Sequence, residues 1–253
     1  MCIRDRSYYF SAAYLADDGI IENSGFERIS SRINVDYQAK KWLKFGVNLS
    51  YANVKSRYPG DQDTDAATSS GNAFFVGNFI APIYPMYVRN AEGQIMHDAN
   101  TGYRIYDYGD GESTNFTRNF MSMSNPMSSF LYDTEEYLMD ILNGKWYAKV
   151  DILDGLSLTA SLGLHVDNTR LHIVGNKYYG QSASQNGSVQ QYSSRTYSLD
   201  QQYLLTYKKA FDVHHIDILA GYESMDYNTE SHYILGYNMY SCLLYTSDAA
   251  DDL

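Results

Sequence analysis

Asp61, Asp63 and Asp65 stand at alternate positions, the spacing with which an EF-hand calcium loop begins. Such a loop needs Gly at its sixth position and a bidentate Glu at its twelfth; here those positions hold Ala66 and Asn72. The run therefore reads as a solvated acidic loop. His214 and His215 are adjacent, so a strand sends them to opposite faces and they cannot share a metal. His165 falls on the polar side of an alternating segment, where a general lining role accounts for it. Glu135 and Glu136 form a carboxylate pair, but the sequence sets no catalytic partner beside them at a telling spacing. No Gly-x-Ser-x-Gly elbow, phosphate loop or dinucleotide fingerprint is present. The expectation is no catalytic residue, no metal site, no cofactor and no enzyme. The remaining chemistry is aromatic. Tyr84, Tyr87, Tyr106, Tyr108, Tyr178 and Tyr179 lie between the periodic segments. Such rings stack on sugars, or pack within a loop or against a covering protein. They are the candidate substrate-binding residues, with both uses open.

The segments that must position these loops alternate with a period of two. From Arg28 to Ala39 the odd positions include Ile29, Ile33, Val35 and Tyr37, and the even positions Arg28, Arg32, Asn34 and Asp36. After Lys40-Lys41, Leu43, Phe45, Val47, Leu49 and Tyr51 continue the odd side. Period two over this length means strands with one apolar and one polar face. The same rule holds for Tyr8–Ala16, Lys145–Ile152, Leu156–Val166, Arg195–Lys208 and Val213–Ser224, and a last strand begins near His232. None has helix periodicity, and none needs a crossover helix, so the sheet should be antiparallel.

The connections alternate in length. Residues 40–41, 153–155 and 209–212 are tight turns. Residues 17–27 and 167–194 are longer loops, and residues 56–140 form one very long excursion. Short turns at one end and long loops at the other are how outer-membrane barrels are built. Within the excursion, Phe74 to Val88 is apolar and aromatic, and Met86–Ile95 reads as a small hairpin turning at Gly93. The polar strand face is rich in Ser, Asn, Gln, Gly and Thr, as a hydrated lumen would select. Tyr8, Tyr14, Tyr51, Tyr207 and Tyr222 sit at strand ends, where an interfacial girdle would place them. Odd positions such as Ile33, Val35, Phe45 and Val47 should face lipid, and Arg32, Asn34, Asn48 and Ser50 the lumen.

Composition agrees with a wall rather than a core. Of 253 residues, 26 are tyrosine. Mean hydropathy is −0.42, and no apolar run is long enough for a membrane-spanning helix, a test that barrels escape. The net charge is −11, a poor match for nucleic acid, which needs a basic footprint. The two ends, residues 1–7 and 241–253, break the pattern and resemble peptides translated in error from adapter DNA. They hold both cysteines, Cys2 and Cys242, so the remainder offers no disulfide framework.

Ala16-Asp-Asp-Gly-Ile-Ile-Glu-Asn-Ser-Gly-Phe-Glu-Arg28, then Arg32-Ile-Asn-Val-Asp36, then Trp42-Leu-Lys-Phe-Gly-Val-Asn-Leu-Ser50 together resemble the barrel of SusC/RagA-type TonB-dependent transporters. Ile83-Tyr-Pro-Met-Tyr87, Tyr106-Asp-Tyr-Gly109 and Asn125-Pro126 are similar to the long loop that follows in that family. The match runs over most of residues 8–240. It implies an all-β fold: an antiparallel up-and-down transmembrane β-barrel, present in part. About eight strands would belong to a plugged barrel of roughly 22. It further implies import of oligosaccharides, or of peptides in some members, across the outer membrane of a Gram-negative bacterium. The implied partners are a SusD-like lipoprotein lid, the TonB complex acting through an N-terminal region outside this chain, and membrane lipid. Two rival readings are a passive porin and a soluble β-sandwich carbohydrate-binding module.

Overall fold

A computed structural model describes residues 6–58, 77–109, 117–118, 125–178 and 181–240. Seven strands form one antiparallel sheet in strict chain order. They are β1 (Arg6–Asp18), β2 (Gly25–Lys40), β3 (Leu43–Tyr58), β4 (Thr134–Leu153), β5 (Leu156–Gly175), β6 (Ser188–Phe211) and β7 (His214–Tyr237). Each strand pairs only with its sequence neighbours, as in an up-and-down meander. The turns at 41–42, 154–155 and 212–213 lie at one end. At 154–155, Gly155 has φ +82°, and an added Cβ would lie 2.2 Å from the Lys208 carbonyl oxygen, so this tight turn requires glycine.

The described strands number seven, against the roughly eight expected. Val213–Ser224 and the segment near His232 are one strand, β7, paired with β6 from Phe211↔His214 to Ser188↔Tyr237. The excursion is shorter than 56–140, because β3 runs on to Tyr58 and β4 begins at Thr134. Likewise the 167–194 loop shrinks to 176–187. These corrections share one cause. Beyond a certain height the two strand faces exchange character, so the alternation breaks although the pairing does not.

The register shows where this happens. Val35, Val47, Trp146 and Leu162 share one row on the apolar face, and Ile33, Leu49, Gly144 and Leu164 the next. Tyr51, Leu142, Val166 and Tyr197 form the upper margin of that band across β3–β6. One row higher the same face carries Asn53, Asp140, Asn168 and Arg195. The opposite face there turns apolar, with Val54, Met139, Ile141, Leu171 and Ile173. The margin is oblique to the rows, reaching Tyr14 on β1 but stopping near Tyr222 on β7. A band parallel to a membrane crosses tilted strands in this way. The 20 residues of β4 and of β5 reach about 66 Å. Tilted by roughly 40°, they rise about 50 Å and stand well clear of a hydrocarbon layer of about 30 Å.

The apolar face is open. Phe10, Tyr14, Ile33, Tyr203 and Tyr222 remain 66, 67, 42, 44 and 63 % exposed. The girdle tyrosines Tyr8, Tyr14, Tyr51, Tyr207 and Tyr222 all fall on this face. The most deeply buried apolar side chains belong mainly to the long-loop end: Val88, Tyr106, Phe130 and Met239.

Candidate functional site

Two surfaces are candidates: the polar face of the wall and the folded cap built from the long loops. On the wall, Arg32, Asn48, Ser50, Asn143, Lys145, His165 and Asp200 surround a shallow cavity of about 310 Å³. Alternation brings them there from five strands. His165 Nδ1 lies 2.7 Å from Asn143 Oδ1. Near the short turns the same face carries three ion pairs: Lys44–Asp36 at 3.7 Å, Lys149–Asp151 at 3.5 Å and Lys208–Asp217 at 2.7 Å. The Tyr147 hydroxyl donates to Asp36 Oδ1, and its ring lies over Gly46, where an added Cβ would meet ring carbon at 2.3 Å.

The cap is more than the hairpin expected at Met86–Ile95. Val88 N–H donates to the Ile105 carbonyl at 3.0 Å, Ile105 N–H to Met96 at 3.0 Å, and Met96 N–H to Val88 at 2.9 Å. Three passes of chain thus close a ring of backbone hydrogen bonds. Gly93 and Gly102, at φ +79° and +72°, turn the chain between passes. Asp98 Oδ1 accepts from the Asn100 and Thr101 N–H groups at 2.9 and 2.8 Å. Those bonds, that of Thr101 foremost, hold the Asp98 carboxyl below its ordinary pKa.

A buried polar knot fixes the cap's base. Asn125 Nδ2 donates to the carbonyls of Met86 and Asp107 at 2.9 and 3.0 Å. Arg118 Nη2 donates to the Asp107 carbonyl at 3.0 Å. Ser128 Oγ donates to the Asn125 carbonyl at 3.1 Å, at the start of a short helix, α1 (Pro126–Tyr132). Directly after α1, Asp133 Oδ1 receives the Asn176 N–H and side-chain amide, and Asn23 Nδ2 donates to the Asp133 carbonyl at 3.0 Å. Three loops of the long-loop end meet at this residue.

The sequence-derived tyrosines divide. Tyr84 packs under the Arg118 guanidinium, 5.3 Å from its ring centroid. Tyr87 stacks on Tyr106 at 5.0 Å with Arg104 above it at 5.3 Å. Tyr106 is 1 % exposed, and burial, followed by the Tyr132 and Tyr87 hydroxyls, pushes its phenol well above the ordinary pKa. Tyr108 hydrogen-bonds Ser128. These four are structural members of the cap. Tyr178 differs, being 39 % exposed. Tyr179, like Asp61, Asp63 and Asp65, lies outside the described residues. Tyr103 and Tyr132, outside the sequence-derived set, join Tyr178 to Tyr106. Ring centroids are 5.6 Å apart for Tyr103–Tyr178, 5.5 Å for Tyr103–Tyr132 and 6.1 Å for Tyr106–Tyr132. The signal was Tyr103 directly after the Asp98–Gly102 turn, a position that projects a ring from a fixed corner.

No family model matches the chain. It is 27 % identical over 216 residues to the TonB-dependent receptor P3 of Formosa agariphila, covering 85 % of this chain and 19 % of that receptor. It is 28 % identical over 236 residues to the TonB-dependent receptor SusC of Bacteroides thetaiotaomicron, covering 87 % of this chain and 21 % of SusC. The chain therefore spans about a fifth of the length of the curated relatives it matches. Among solved structures, the RagAB peptide transporter superposes with TM-score 0.64 at 21 % identity, over 93 % of this chain and 24 % of that one. Its open-open state gives TM-score 0.64 over 96 % of this chain and 25 % of that one. These structures share the fold. The resemblance to SusC/RagA-type TonB-dependent transporters is borne out, and so is the partial antiparallel barrel. The relatives are named as receptors and importers, not as enzymes.

Proposed function

We propose that this chain is a stretch of the barrel wall of an energised nutrient importer in the outer membrane of a Gram-negative bacterium, and that its long loops help to form the substrate vestibule. One observation carries the reading: an apolar band, oblique to the strand rows, ends at an aromatic margin above which the two faces exchange character. A soluble β-sandwich has no use for such a margin, because its apolar face is buried along the whole strand. The polar wall with its three Lys–Asp pairs suits a lumen occupied by a polar element, as in a plugged transporter. A SusD-like lipoprotein over the long-loop end and a TonB complex supplying energy are the partners this reading calls for. The cargo is an oligosaccharide or a peptide.

The test is uptake by cells that express the full-length protein containing this segment. Entry of the cargo should stop when TonB is deleted or the proton-motive force is collapsed. Uptake that persists after both treatments points to a passive porin and overturns the proposal.

A further inference from the structure

The corner formed by Tyr103 and Tyr178 is the open end of the cap's aromatic stack. The two rings meet at 5.6 Å and 64° and are 38 and 39 % exposed. Behind them Tyr132 and the buried Tyr106 continue the stack. The corner is therefore anchored on rigid structure although it stands on loops. Its two sides come from distant segments with separate supports. Tyr103 follows the Asp98-centred turn and donates its N–H toward Thr101 Oγ1 at 3.3 Å. Tyr178 donates its N–H to Asn176 Oδ1 at 3.0 Å, and Asn176 is itself clamped by Asp133. Lys177 lies beside the corner, its ammonium 5.1 Å from the Tyr178 centroid and 3.0 Å from the Tyr240 carbonyl oxygen.

We infer that the Tyr103–Tyr178 corner is a preformed stacking site for a single pyranose ring of a glycan, a reading that rests on the importer function proposed above. One observation favours a sugar over a peptide: an extended peptide binds best by adding to a free backbone edge, and here the neighbouring backbone of Val88, Met96 and Ile105 is closed on itself by the hydrogen-bond ring. What the corner offers is an aromatic face, a second ring edge, two phenolic hydroxyls and one ammonium. Those groups fit the C–H face and the rim hydroxyls of one sugar ring.

The experiment uses the full-length receptor containing this segment, purified in detergent, with binding measured by calorimetry. The probes are neutral hexasaccharides (an α-1,4-glucan, a β-1,4-glucan and a β-mannan) and a mixed hexapeptide pool. At least one hexasaccharide should bind. Tyr103→Ala and Tyr178→Ala should each weaken that binding by about tenfold. Tyr178→Phe should stay within about threefold, and Tyr222→Ala, on the lipid side, should change nothing. Thermal melting of each variant separates a lost ring from a lost fold, and Tyr178→Phe keeps the stack where Tyr178→Ala misfolds. Binding of the peptides alone, of no sugar, or of a sugar indifferent to both rings overturns the inference. If sugar binding depends on the rings but uptake ignores TonB, the importer reading fails and the site stands. If uptake needs TonB but the rings are irrelevant to binding, the site fails and the importer reading stands.

Discussion

Asp133 and Asn176 lie 43 residues apart and meet through one carboxylate oxygen, which accepts the Asn176 backbone N–H at 2.7 Å and its side-chain amide at 2.6 Å. Asn176 is only 2 % exposed. The contact joins the end of the longest excursion to the loop that carries Tyr178, and the Asp133 carbonyl adds the 19–24 loop through Asn23. One residue thus sets the relative position of three connections that have no strand pairing between them.

Asp133→Ala should therefore loosen the long-loop end without harming the wall. It strands a buried N–H and a buried amide, at a local cost of about 1–3 kcal/mol. Hydrogen exchange in the full-length receptor should speed up at Asn176, Lys177 and Tyr178, while amides of β5 and β6 keep their protection. Unchanged exchange at those three positions means the clasp does not hold the loop.

Gly46 and Tyr147 should be coupled. An added Cβ at residue 46 would meet the Tyr147 ring at 2.3 Å and Asp36 Oδ1 at 2.7 Å, and Tyr147 is hydrogen-bonded to that same carboxylate. Gly46→Val should lower the melting temperature, at about 1–3 kcal/mol for overpacking. In Tyr147→Ala the same Gly46→Val change should cost much less, because the obstructing ring is gone. Equal costs in the two backgrounds would show that the ring does not require the glycine.

Most of the wall was legible in the chain because a half-lipid, half-water environment writes itself as period two. Ile33, Val35, Phe45 and Val47 fell on the face assigned to them. The strand ends were not legible, because above Tyr51 and Leu142 the faces exchange: Asp140 and Arg170 pair at 3.6 Å on the formerly apolar face, while Val54 and Ile141 take the other. Two half-patterns of opposite phase look like a loop. The cap was legible only at its Gly93 turn. Its hydrogen-bond ring and the polar knot of Asp107, Arg118 and Asn125 depend on contacts between distant positions. Of the six candidate tyrosines, composition could not separate Tyr106, wholly buried, from Tyr178, half open, since both lie in aromatic stretches.

The Asp98 turn predicts a pH response. Its carboxylate accepts hydrogen bonds in the folded cap, which holds its pKa below the ordinary value near 4. A group depressed by folding contributes stability above its unfolded pKa and loses it as pH falls through its folded pKa. The contribution of the Asp98 turn should therefore be constant above about pH 5 and should be lost only below about 4. Amide exchange at Asn100 and Thr101, corrected for intrinsic rates, checks this, and Asp98→Ala should show the loosened rates at every pH. Loosening that sets in near pH 6 would trace to another group.

Leu162 and Ser161 are adjacent on β5 and give the sharpest test of which face meets lipid. Leu162 pairs across to Trp146 and Gln201 on the apolar face, and Ser161 to Tyr147 and Gln202 on the polar one. Both lie at the same height, rows below the aromatic margin, so a substitution compares faces and not depth. Arginine near the bilayer midplane on the lipid side costs about 2–4 kcal/mol, whereas lumen positions tolerate charge. Leu162→Arg should therefore reduce the folded, heat-modifiable receptor recovered from outer membranes, and Ser161→Arg should leave that yield close to wild type. A soluble sandwich predicts another pattern: Leu162→Arg would disrupt a packed core and destabilise the protein in detergent-free buffer. Equal yields for the two variants, or a larger loss from Ser161→Arg, would reverse the faces and with them the lumen assignment of Arg32, Lys145, His165 and Asp200.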